Sequence, residues 1–184
     1  MTASAWNEFE QRLACEGSWH ADSQALAWPV PEALSQRLAE RNAAALATVS
    51  ALEERRADNA DDDDPVMQEL MRLDAKLNAL IDMVSRLSLS ADALAPRQEL
   101  SFNAIGAVVP DALASVGEEL LLRLRFDACP SVPLELPARV DRRLGDGRTF
   151  IAFRGLGDGV AASLERFVFR HHRRKVAGAR QANA

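Results

Sequence analysis

Between Pro65 and Leu89 the apolar residues recur at a spacing that few folds can use. Val66, Leu70, Leu73, Leu77, Leu80, Val84 and Leu87 follow one another at alternating intervals of four and three residues. This is a heptad repeat, with Leu70, Leu77 and Val84 at a and Val66, Leu73, Leu80 and Leu87 at d. The stripe is narrow, widened only by Met67 and Ile81 on one side. Such a stripe fits a helix–helix seam better than a helix lying on a broad core. A helix of about 25 residues is roughly 37 Å long, more than a small neighbouring domain covers. Its partner is either the preceding helix, as an αα-hairpin, or the same helix of another chain. The two are compatible, because hairpins dimerise into four-helix bundles. The seam predicts a homo-oligomer. A tetramer is slightly favoured over a dimer, because two amphipathic helices per chain leave faces beyond a four-helix core.

The residues around the seam are also helix-rich. Ala5, Phe9 and Leu13 at spacing four predict a short helix over 4–15. Residues 17–29, carrying Trp19 and Trp28, read as a loop. Pro31 and Glu32 suit the start of a helix running to about residue 56, with Leu34, Leu38, Ala45, Val49 and Leu52 on one face. Asp61 to Asp64 then stand directly before Pro65. Four adjacent carboxylates repel one another and favour water and a helix N-terminus; a calcium loop needs spaced oxygens and a turn glycine. Residues 29–101 contain no Phe, Trp or Tyr, which also favours long helices over a packed globule.

After Pro96 the period changes from 3.6 to 2. Leu100 and Phe102 begin an alternation that breaks at Gly106 and resumes at Ala107–Val109. Leu120, Leu122, Leu124 and Phe126 alternate with Leu121, Arg123 and Arg125; Val132, Leu134 and Leu136 follow, and the pattern continues past Pro137 to Arg142. Gly145-Asp146-Gly147-Arg148 is a hairpin turn, with Thr149–Phe153 returning. These short strands predict an antiparallel barrel or sandwich. A last helix starts near Asp158, with Val160, Leu164, Phe167, Val168 and His171 on its buried face. The fold class is therefore α+β. Residues 1–95 form a helical oligomerisation region, 96–176 a β-domain with a closing helix, and 177–184 a flexible tail.

Composition limits the chemistry. Hydrophobic residues make up 48% and charged residues 27% of 184 residues, an ordinary globular balance. Two cysteines exclude a disulfide scaffold and a cysteine zinc cluster. There is no membrane-length apolar run and no signal-peptide pattern, which predicts a cytoplasmic protein. No catalytic or phosphate-loop motif is present, and no catalytic residue or metal ligand is assigned. His171 and His172 are adjacent, so on a helix they diverge by about 100° and make a poor metal pair. The basic cluster between Arg166 and Arg180 could contact nucleic acid or an acidic partner. A net charge of −5 and the lack of an interleaved aromatic platform count against nucleic acid; complementing the helix dipole is the simpler role.

The segment ELSFNAIGAVVPDALASVGEELLLRLRF resembles the part of PilZ domains that carries their (D/N)xSxxG motif. The tail FRGLGDGVAASLERFVFRHHRR is similar to the family's closing strand and helix. The resemblance spans about residues 97–175. It implies a six-stranded β-barrel, a bacterial receptor class for cyclic di-GMP, and a non-enzymatic role passing signals to motility, secretion or virulence-type machinery through an unidentified protein partner. Aligned on Gly106, Ser101 stands where the family has Asp or Asn, and Asn103 where it has Ser. The family's RxxxR pair, which grips the dinucleotide, has no counterpart before Leu100, where Arg86 and Arg97 lie eleven apart. Arg37/Arg41, Arg139/Arg143 and Arg170/Arg174 have the spacing but not the position. The expectation is a retained fold with no cofactor. Ser101 and Asn103 would close the turn before Gly106, itself at positive φ, and cyclic di-GMP would not bind. The alternatives are a cyclic di-GMP receptor with atypical contacts and a basic-helix nucleic-acid module.

Overall fold

The computed structural model describes residues 4–55 and 94–182 and, between them, residues 70, 72, 73, 76, 77, 80 and 84. The elements are α1 (Ala5–Glu10), β1 (Cys15–Ala25), α2 (Glu32–Arg55), β2 (Arg97–Phe102), β3 (Gly106–Pro110), β4 (Glu119–Arg125), β5 (Leu134–Arg143), β6 (Arg148–Phe153) and α3 (Asp158–Ala182). The six strands form a closed barrel in the order β1-β2-β3-β6-β5-β4. Every pairing is antiparallel. Closure leaves no free sheet edge over most of the wall.

The period-2 pattern after Pro96 produces β2 to β6 as expected. Leu120, Leu122, Leu124, Leu134, Leu136 and Ile151 point into the barrel and are fully buried. Phe167 of α3 closes one end, 6.1 Å from the ring of Phe102 and 4.8 Å from that of Phe126. Val160, Leu164 and Val168 bury beside it, while His171 is only half-buried. α2 lies on β5 and α3 and buries Leu38, Ala45, Leu46 and Val49 there.

Three expectations are corrected. The predicted helix over 4–15 stops at Glu10, and the predicted loop over 17–29 is mostly β1. The barrel thus takes its first strand from a loop within the expected helical region, and only five strands follow Pro96. β1 bridges β2 and β4, so without it the wall would stay open. The tail expected from residue 177 continues as helix to Ala182.

Pro137 does not break β5. Both backbone polar groups of Glu135 face away from β4: the Asn42 amide donates to Glu135 O (2.6 Å) and its Oδ1 accepts from Glu135 N (2.8 Å). Pro137, two residues on, faces the same way, where β6 has ended, so its missing N–H costs no ladder bond. Its carbonyl accepts from Arg154 N at 2.9 Å. The buried side chain of Asn42 therefore replaces a strand neighbour along this stretch.

Candidate functional site

The turn between β2 and β3 holds the motif residues, and it is closed from within. Asn103 is buried; its Oδ1 accepts from Ile105 N (2.8 Å), and its backbone N–H donates to Gly106 O (3.0 Å). Its remaining amide group donates to Phe9 O at 3.1 Å. Gly106 is needed for a reason other than the expected one, because its φ is not positive. A Cβ there would lie 2.3 Å from Ile151 O and 2.7 Å from the Phe150 ring, so only glycine lets β3 approach β6. Ser101 does not help to close the turn. It lies within β2, opposite Glu16 on one side and Val108 on the other.

Above this turn sits α1. Trp6 and Phe9, three residues apart on one helical face, pack on Phe150 with ring centroids at 5.1 and 5.0 Å. Val108, Ile105, Leu144 and Ala152 complete the contact, and the Arg142 guanidinium stands 5.6 Å over Trp6. α1 was expected, but its docking on the motif face was not. The Trp6/Phe9 spacing was the available signal.

Five of the six arginines at RxxxR spacing have partners elsewhere in the fold. Arg41 pairs with Glu135 at 2.9 Å, Arg139 with Glu119 at 3.7 Å, Arg143 with Asp111 at 3.9 Å and Arg174 with Glu53 at 2.7 Å. Arg170 donates to the Ser50 hydroxyl. Arg97 donates to Ser18 O at 2.6 Å and also pairs with Asp127. Arg86 lies outside the described residues.

The C-terminal basic cluster is partly absorbed as well. Besides Arg170 and Arg174, Lys175 reaches Glu16 at 3.4 Å, and Arg173 stands over the Phe169 ring. His171 packs near Trp19 and Phe167, and burial pulls its pKa below the ordinary value. Burial also pushes the Cys15 thiol up to about 12, which keeps it protonated and unreactive. Among the described residues no group of three or more His, Cys, Asp or Glu could hold a metal ion, and no helix is long and apolar enough to cross a membrane.

The heptad face is the second candidate. Leu70, Leu73, Leu77, Leu80 and Val84 are helical and 48–59% exposed. Val66 and Leu87, with Met67, Ile81 and the run Asp61–Asp64, lie outside the described residues. The buried face of α2 rests on the barrel and α3, and the described seam residues remain exposed.

No curated protein matches the chain. Among solved structures, it is similar to a pathogenic protein from Xanthomonas campestris described as a tetrameric PilZ domain self-assembled via an unusual helical bundle. The TM-score is 0.66 and the identity 26%, over 94% of this chain and 95% of that one. The family model described as "Atypical PilZ domain, cyclic di-GMP receptor" matches residues 44–181, which include the Asn103–Gly106 turn, five barrel strands, α3 and the heptad face. The chain belongs to the atypical PilZ domain family.

Proposed function

We propose that this chain is a non-enzymatic, cytoplasmic PilZ-type adaptor in bacterial signalling, of the motility, type IV pilus or virulence-regulating kind. It assembles through its heptad helices and does not itself take cyclic di-GMP at the motif turn. The observation carrying the ligand reading is the closed bonding of Asn103. Both ends of its amide are used inside the protein, one of them by α1. The missing arginine clamp points the same way, since each lost charge-assisted bond removes about 1.5–3 kcal/mol. Assembly is supported by Leu70, Leu73, Leu77, Leu80 and Val84, large apolar residues at a and d spacing that are exposed in the single chain. It is also supported by the tetrameric Xanthomonas relative, so four copies are favoured over two.

Two measurements on one sample test this. Light scattering should give a multiple of 20.1 kDa at tens of micromolar; a 20.1 kDa particle would refute assembly. Calorimetric titration with cyclic di-GMP should show no saturable heat. A dissociation constant below about 10 µM, near −7 kcal/mol, would establish the receptor reading instead.

A further inference from the structure

α1 is a poor helix on its own. Its six residues fall far below the roughly 12–15 at which isolated helices become even marginal. Ser4 makes no capping bond, and no basic residue occupies the last turn. The ion pairs of Arg12 with Glu8 and Glu165 are exposed and hold little. What fixes α1 is a groove. Its floor is Val108, Phe150 and Ala152 of the β3–β6 pair, which the barrel builds without α1. Asn103 at the rim donates to Phe9 O, a carbonyl of the last turn that also accepts from Arg12 N at 3.2 Å. Arg142 covers the outer aromatic. The groove thus reads three things: two aromatics three residues apart, a helix C-terminal carbonyl, and a ring face open to a guanidinium.

We propose that this groove is a docking site for a short amphipathic helix of a partner protein, carrying two aromatic residues at i and i+3. α1 is the built-in competitor that such a helix displaces. The chain's own segment supplies the chemistry of the occupant, and the proposal does not rest on the cyclic di-GMP reading. A plug that is mostly closed weakens a competitor in proportion to the open fraction.

The probe is a labelled peptide of residues 4–13, titrated into the full chain and into its Trp6→Ala/Phe9→Ala variant. The variant should bind it about tenfold more tightly or better. A peptide with both aromatics replaced by alanine should not bind. In the unaltered chain, excess peptide should move the Trp6 indole N–H resonance to its free-peptide position while those of Trp19 and Trp28 stay. Equal affinity of the two chains, or binding indifferent to the peptide's aromatics, overturns the proposal. If the double variant does not fold, the Trp6 resonance decides; no movement at about millimolar peptide overturns it. Displacement of the peptide by cyclic di-GMP would make the groove a nucleotide site and also overturn the proposal.

Discussion

At Gly106 a single missing methyl decides how close two strands come. Gly106→Val would push a branched side chain into Ile151 O and the Phe150 ring. Overpacking of this kind costs about 1–3 kcal/mol, more against backbone, and thermal melts should show a clear loss of stability. An unchanged melting temperature would contradict the close-approach reading. Asn42→Ala should be as costly by another route: it leaves the buried N–H and C=O of Glu135 without their side-chain partner, at about 1–3 kcal/mol each. The urea midpoint should fall at constant slope, and a midpoint that holds would mean water replaces the amide. His171 gives a pH signature. Its folded pKa lies below the ordinary 6.5, because burial disfavours the imidazolium. The unfolded chain therefore binds the proton first as pH falls. The stability from neutral His171 is full above 6.5 and is lost as pH drops through the folded value. Stability should decline as pH falls below about 6.5, and His171→Gln should flatten that decline.

Whether an element was legible in the sequence depended on how regularly it buries side chains. β4 could be read because Leu120, Leu122 and Leu124 all enter the core. β1 could not. Its inward positions include Gly17 and Ser23, and Trp19 is its only large apolar residue. A Cβ on Gly17 would lie 2.8 Å from the Trp19 ring, so the glycine that obscures the strand pattern makes room for the indole. The motif turn was half legible. Asn103 closes it as expected, but its bond to Phe9 O links residues 94 apart, which no local pattern reveals. Periodicity alone made the helical state of Leu70, Leu73, Leu77, Leu80 and Val84 legible. Leu73→Asp with Leu80→Asp should dissociate the proposed assembly, since in its interface each would bury a charge without a partner. The barrel's circular dichroism should persist while the mass falls to 20.1 kDa. An unaltered mass would place the interface elsewhere.

Across the whole molecule, α2 and the heptad stretch are set between two strands that pair with each other. β1 ends at Ala25 and its neighbour β2 starts at Arg97. Its other neighbour, β4, starts still later, at Glu119. This topology sets an order in time. During synthesis β1 leaves the ribosome first, yet it has no partner until the helices and then β2 and β4 have emerged. Loop-closure entropy and high contact order both make its docking a late event. β2, β3, β6, β5 and β4 can form a sheet from contacts within residues 97–153 beforehand, with two edges open. In refolding, burial of Trp19 should therefore lag behind formation of the β5–β6 hairpin, and the interval between them is when an unpaired β1 is free to enter the barrel of a neighbouring chain.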